Sequence, residues 1–352
     1  MLSRESVLLI IKEKILAIIK GWAALGSQQK LQTYTYDPGP LNAEEVEIAV
    51  EYCGLCHSDL SMLNNDWGLT RYPIIPGHEV VGRIVAIGNQ VKGLKVGQSV
   101  GVGWNALSCM HCRECLTGQH HLCPETQPTI VGRHGGFAER IRAHWVWVIP
   151  LPDTLDKSIA GPLLCGGITV FAPLQVFDVK PTDRVGVVGI GGLGHLALQF
   201  AHAWGCEVIA LTSSPAKAEE AHKFGAYYSV SSRDRNEISK LANTLDFLLV
   251  TVNVPLDWSS LLKTLKSNGR MHIVGAVLEP IPLQAFDLIM GQKRISGSPT
   301  GGPIMTATML DFAARHRIAP QVEHFPLNQV NEAITHLAAG KAKYRIVLDH
   351  AN

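Results

Sequence analysis

Val187-Val188-Gly189-Ile190-Gly191-Gly192-Leu193-Gly194 is a G-x-G-x-x-G string, set between an apolar run over 185–190 and a helical pattern over 195–204. Three glycines between a strand and a helix have a specific physical use. They permit a tight turn, let backbone N–H groups approach a pyrophosphate, and let the helix pack closely on the strand. A glycine turn that serves structure alone is the plainer alternative. The strand–turn–helix setting favours a dinucleotide site built from Gly189, Gly191, Gly192, Leu193 and Gly194.

Downstream of that loop, apolar runs and helical patterns alternate: strand over 206–211, helix over 216–224, strands over 247–252 and 271–276. This is the signature of a doubly wound parallel sheet. Upstream, short β-rich runs over 46–50, 80–88, 97–104 and 145–149 are separated by glycine and proline, which points to an irregular barrel or sandwich. From about Lys293 glycine and proline return, and the tail carries a helical pattern over 331–339 and a strand-like run over 344–348. The chain is therefore expected to be α/β. The expected division is a barrel domain from 20–154 and 292–352, a dinucleotide-binding domain over 155–291, and an N-terminal extension over 1–19.

The chain has 352 residues, of which 46% are hydrophobic, with 31 basic and 30 acidic side chains and a net charge of +1. Such a chain buries a sizeable core, so disorder and a small disulfide scaffold are excluded. The near-zero charge gives no field that would draw the chain onto nucleic acid or an anionic bilayer. The longest apolar stretch, 7–19, is broken by Lys12, Glu13 and Lys14, so no membrane span is expected there. It also lacks the features of a secretory signal. A cytoplasmic enzyme is expected, with its eight cysteines present as thiolates rather than disulfides.

Cys109, Cys112, Cys115 and Cys123 place four thiolates within fifteen residues, on a loop bent by Gly118 and Pro124. Four sulfurs complete a tetrahedron around zinc and leave no open position, which reads as a structural site. A four-cysteine iron–sulfur site is the rival, and this spacing resembles one only in part. A second set is dispersed over Cys56, His78 and Cys165. Each member has an ordinary reading as a buried thiol or a turn histidine. Together they offer two thiolates and an imidazole with a fourth position open, the layout of a catalytic zinc, although spacing alone does not assemble them.

The strand over 206–211 runs into Thr212, Ser213 and Ser214, with Lys217 a turn later and no acid at its end. A carboxylate there would accept from a free ribose 2′-hydroxyl and repel a 2′-phosphate. Hydroxyls and an ammonium suit the phosphate, so NADP(H) is expected rather than NAD. The competing account is that Ser214 before Pro215 merely caps the next helix.

These motifs resemble the zinc-dependent medium-chain alcohol dehydrogenases, most closely their cinnamyl alcohol dehydrogenase-like branch. The resemblance is carried by Cys53-Gly54-Leu55-Cys56-His57-Ser58-Asp59-Leu60, by Tyr72-Pro73-Ile74-Ile75-Pro76-Gly77-His78-Glu79-Val80-Val81-Gly82 and by the four-cysteine loop. It continues in Pro162-Leu163-Leu164-Cys165-Gly166-Gly167-Ile168-Thr169-Val170, the glycine loop and Tyr344-Arg345-Ile346-Val347, and so spans about residues 20–350. It implies a GroES-like barrel closed by the C-terminal segment, a Rossmann domain inserted within it, and two zinc ions per chain. It further implies Cys56, His78 and Cys165 as ligands of the catalytic zinc, Glu79 as a nearby carboxylate, Ser58 as proton-relay hydroxyl, Asp59 as the group orienting His78, and His57 beside the cofactor. Ser213, Ser214 and Lys217 match positions that hold the 2′-phosphate. Leu69, Trp104 and Pro299 are candidates for the pocket wall, and a homodimer is the expected assembly.

Two departures stand out. Ser61 occupies a place where many relatives carry a histidine that hands the proton to solvent, and the stretch 124–135 is shorter than in plant relatives with an aromatic substrate pocket. The expected reaction is hydride transfer between NADP(H) and a primary alcohol or aldehyde. Its alternatives are an NAD-dependent polyol or amino-alcohol dehydrogenase and a non-catalytic, zinc-stabilised nucleotide sensor.

Overall fold

The computed structural model describes residues 18–350, which form two compact units. Residues 1–17 of the expected extension lie outside the described residues, while Ile19 already belongs to a strand, Ile19–Ala23, paired with Gln32–Tyr36.

One unit comprises 166–301 and 308–320. Its sheet has six parallel strands in the spatial order Tyr228–Ser231, Glu207–Thr212, Arg184–Val188, Leu245–Val250, Leu265–Ile273, Arg294–Gly297. The chain builds outward from Arg184–Val188 and then crosses to Leu245–Val250 on the other side, the switch point of a Rossmann sheet. The three central strands are almost wholly buried, as strands covered on both faces must be. Leu241, Trp258, Leu261 and Leu262 join them in one core, and a cluster of Phe171, Phe200, Trp204 and Phe312 forms beside it.

The other unit takes residues up to Cys165 together with 302–307 and the segment from Gln321 onward. Its central strand, Glu45–Leu55, pairs antiparallel with Glu79–Ile87 along one side. Along the other side it pairs first with Arg140–His144 and then, through Tyr52–Leu55, with the C-terminal strand Arg345–Asp349. Gly54 thus faces Glu79 on one neighbour and Val347 on the other. That register draws three distant pieces of sequence to one end of one strand.

The structure corrects several expectations. Strand Arg294–Gly297 is the sixth member of the parallel sheet, so the nucleotide unit extends past residue 291. Segment Gly161–Leu164 packs on Glu45–Leu55 and Glu79–Ile87, so the junction falls after Cys165 rather than at 154. The run over 145–149 is no single strand. Trp145–Trp147 is a 3₁₀ turn capped by His144, whose ring accepts from Val146 N–H at 3.2 Å, and only Ile149–Pro150 pairs as strand. The strand in this region is Arg140–His144.

Candidate functional site

Cys56 ends the central strand and caps the helix His57–Asn64. Its Sγ accepts from Ser58 N–H at 3.3 Å, and its own N–H donates to Asp59 Oδ2 at 3.0 Å, a reciprocal cap that fixes the thiol at a helix N-terminus. Asp59 is fully buried, and its Oδ1 also accepts from Gly77 N–H at 2.9 Å and lies 3.1 Å from His78 Nδ1. One carboxylate therefore orders the cap, the turn before His78 and the imidazole itself. With Nδ1 held, His78 presents Nε2 to Cys56 Sγ at 3.3 Å.

Cys165 closes the group from the end of Gly161–Leu164, and the ligand atoms of Cys56, His78, Glu79 and Cys165 all lie within 4.8 Å of one another. Hydrogen bonding from Cys165 and the positive field of His78 hold the Cys56 thiol well below its usual range against the opposing effect of burial. Burial works against protonation of His78, but Asp59 and Cys56 outweigh it and raise its pKa. Burial raises Glu79 to about 7 against the pull of Arg345. Glu79 Oε2 is buried with no hydrogen-bond partner among the described residues, whereas Oε1 pairs with Arg345 Nη2. The hydrogen bond with Cys56, and then burial, hold the Cys165 thiol well above its usual range, so one proton is shared between two sulfurs that a metal ion would displace. Two cysteine sulfurs, one imidazole nitrogen held by the buried Asp59 carboxylate, and an unsatisfied carboxylate oxygen fit a zinc ion with an open position.

Around this group, Trp104 meets the His78 ring edge-on at 5.0 Å and in turn contacts Trp67 at 6.0 Å. Ser58 and Ser61 are half-buried on the same short helix, His57 is exposed in its first turn, and Leu69 is exposed beyond it. Pro299 belongs to the nucleotide unit, where its carbonyl accepts from Thr169 Oγ1 at 3.4 Å.

The four-cysteine loop gathers its sulfurs within 4.8 Å as well. Backbone N–H groups point at them: Cys112 N–H at Cys109 Sγ (3.3 Å), Cys115 N–H at Cys112 Sγ (3.5 Å) and Cys109 N–H at Cys123 Sγ (3.5 Å). Backbone N–H groups lower the Cys109 thiol to about 7, while Cys112 and Cys123 in the same cluster are raised, and four sulfurs held this close suit a closed tetrahedral metal site.

In the other unit, Gly189 turns the chain with φ +89°, a conformation that favours glycine. A Cβ on Gly194 would lie 1.8 Å from Gly189 O, whereas one on Gly191 would meet nothing within 4 Å. The first glycine pair closes the turn, and Gly191 leaves backbone open to a ligand. At the end of Glu207–Thr212, Thr212 Oγ1 accepts from Ser214 N–H at 3.3 Å and Ser214 Oγ accepts from Lys217 N–H at 3.4 Å. The capping role considered above is thus realised. It leaves both hydroxyl hydrogens available to an acceptor, with Ser213 exposed beside them.

Two family models match: the alcohol dehydrogenase GroES-like domain over residues 42–153 and the zinc-binding dehydrogenase domain over 192–315. The aldehyde reductase AdhA of Synechocystis sp. is 53% identical over 334 residues, covering 95% of this chain and 99% of the relative. The chain belongs to the zinc-dependent medium-chain alcohol dehydrogenases. Among solved structures, the cinnamyl alcohol dehydrogenase SbCAD4 from Sorghum bicolor superposes with a TM-score of 0.91 at 36% identity, covering 94% of this chain and 97% of that one. CAD from Helicobacter pylori, complexed with NADP(H), gives 0.87 at 31% identity over 95% and 98%. This dehydrogenase is an oxidoreductase of the alcohol dehydrogenase and aldehyde reductase class, which removes the non-catalytic sensor as an alternative.

In the sequence Arg345 is only one residue of a tail motif, and its position against Glu79 emerges from the sheet register. Gly54 has a related reason. A Cβ there would sit 1.9 Å from Glu79 Oε2, so the carboxylate occupies the space that glycine leaves. Trp67, against Trp104, carried no sequence signal beyond being aromatic.

Proposed function

We propose that this dehydrogenase interconverts primary alcohols and aldehydes with NADP(H), using one zinc at Cys56, His78 and Cys165 and a second at Cys109, Cys112, Cys115 and Cys123. The observation that carries the cofactor preference is the end of Glu207–Thr212, where Thr212, Ser213, Ser214 and Lys217 stand and no carboxylate does. The NADP(H) complex of the Helicobacter pylori relative supports the same reading.

When bound, the catalytic zinc supplies Lewis-acid polarisation of the substrate oxygen. The chain's own residues do the rest. Asp59 keeps His78 in one tautomer with Nε2 directed at Cys56. Ser58 Oγ holds the proton that the substrate oxygen takes up in reduction and returns in oxidation. Ser61 follows on the next part of the helix in place of a histidine, so that proton reaches solvent through hydroxyls and water. Trp104 and Trp67 provide an apolar wall beside His78 that keeps bulk water from it.

The gathering of six of the eight cysteines into two metal-ligand groups supports placement in the cytoplasm. No single helix among the described residues is long and apolar enough to cross a membrane. A homodimer is supported by the outer edge of Arg294–Gly297, which no further strand pairs with among the described residues, and by the exposed apolar side chains of Leu278, Phe286, Ile289 and Met290 that precede it.

The test is a panel of aldehydes and alcohols assayed with both nucleotides beside a zinc count. We expect two zinc per chain and a kcat/KM for NADPH at least about tenfold above that for NADH, the scale of one charge-assisted contact to the 2′-phosphate. NADH used equally well would overturn the cofactor assignment. Full turnover in Cys56→Ala would overturn the catalytic site.

A further inference from the structure

His272 is fully buried on Leu265–Ile273, directly across the sheet from Ser296 on Arg294–Gly297. Its Nδ1 lies 2.9 Å from Ser296 Oγ and its Nε2 lies 2.9 Å from Ser298 Oγ. Both ring nitrogens are therefore committed to hydroxyls of the last strand and its exit. A neutral imidazole has one donor and one acceptor, and two serine hydroxyls satisfy both whichever tautomer is present. The ring is stacked on Phe247 and packed against Phe177, over which the Arg270 guanidinium lies at 4.1 Å. Its orientation is fixed on every side.

A histidine this deep in a parallel sheet is not needed for packing, since an aliphatic side chain would fill the space without a polar debt. Its polar contacts converge on one segment. Ser298 leaves the carboxyl end of the sixth strand, and the next residue, Pro299, is held through its carbonyl by Thr169 Oγ1. In doubly wound sheets ligands lie beyond the carboxyl ends of the strands, one mononucleotide to each half. Gly189 and Thr212 stand at strand ends in the first half. The exit at Ser298 stands at the end of the second half, where the nicotinamide mononucleotide belongs.

We propose that His272 is a positioning residue that fixes the Ser298–Pro299–Thr300 segment against the nicotinamide half of the cofactor. This rests on the nucleotide reading above. The test uses His272→Phe, which keeps an aromatic ring and removes both hydrogen bonds, and Ser298→Ala, which removes one and disturbs packing least. For each, affinity is measured for NADPH and for adenosine 2′,5′-bisphosphate, the half-cofactor without nicotinamide. The expected result is about a tenfold loss of NADPH affinity, the equivalent of one hydrogen bond, with fragment affinity unchanged.

Parallel loss of both affinities in Ser298→Ala, or no loss in either variant, overturns the proposal. A parent enzyme that binds adenosine 5′-monophosphate but not the 2′,5′-bisphosphate overturns the NADP(H) reading instead. In that case NADH and the monophosphate replace the two probes, and the same contrast decides the role of His272.

Discussion

Glu79 and Arg345 are 266 positions apart and pair inside the protein, where an isolated charge is costly. Arg345 also leaves Nε without a partner among the described residues, so the guanidinium is committed to this one carboxylate. Arg345→Met should strand Glu79 and cost about 3 kcal/mol in urea unfolding, the scale for breaking a buried pair. The double variant Arg345→Met with Glu79→Gln should recover part of that loss. A double variant no more stable than the single would show that the cost is packing rather than charge. His272 gives a residue-scale expectation of a different kind. Burial first, and then Arg270, push its pKa down to about 4 from the usual 6.5. A depressed pKa means that the neutral ring is favoured by the fold, so its contribution is complete above pH 6.5 and is lost as pH falls from there through 4. Stability measured across that window should fall less steeply in His272→Phe than in the parent, by up to about 1.4 kcal/mol per pH unit, the slope of one proton. Identical slopes would mean that the ring is already charged in the fold.

At the scale of elements, the glycine loop separates two effects that a single substitution usually mixes. Gly191→Ala adds a methyl to open space, so the thermal midpoint of the protein alone should not move. If a pyrophosphate lies against that backbone, NADPH affinity should fall by about tenfold or more. Gly194→Ala instead drives a methyl into Gly189 O and should lower the midpoint as well. Equal NADPH affinity in Gly191→Ala and the parent would place the phosphates elsewhere. The elements that were legible in the sequence are those whose burial is complete. Arg184–Val188, Glu207–Thr212 and Leu245–Val250 are apolar runs because both their faces are covered. Tyr228–Ser231 and Arg294–Gly297 are the two outer strands of the same sheet, half-buried and partly polar, so their composition carries little periodic signal and the sheet alone defines them. Trp145–Trp147 misleads in the opposite direction. Its aromatic and branched residues suit a strand, but His144 caps the backbone into a turn.

For the whole molecule, the candidate ligands were legible as residue types but not as a group, because Cys56 and His78 meet through the pairing of Glu45–Leu55 with Glu79–Ile87, and Cys165 joins them only where Gly161–Leu164 packs on those strands. The local cysteine loop needed no such closure, and its spacing sufficed. Assembly follows the same logic, since an edge is visible only once the sheet order is known. Among the described residues Arg294–Gly297 has one neighbour, Leu265–Ile273, and no strand pairs with the N–H and C=O groups on its other side. Just before it, Phe286, Ile289 and Met290 are each more than three-fifths exposed on or beside the short helix Ala285–Ile289. A monomer would leave this apolar patch in water beside an open edge. A second copy related by a two-fold axis would cover the same patch on both chains at once. Phe286→Asp combined with Met290→Asp should therefore shift the mass measured by analytical ultracentrifugation from dimer to monomer, while the zinc content per chain stays the same. The candidate metal ligands lie outside this element, so a loss of zinc together with the mass change would point to unfolding rather than dissociation. A parent protein that sediments as a monomer at micromolar concentration would leave the patch without the partner assigned to it.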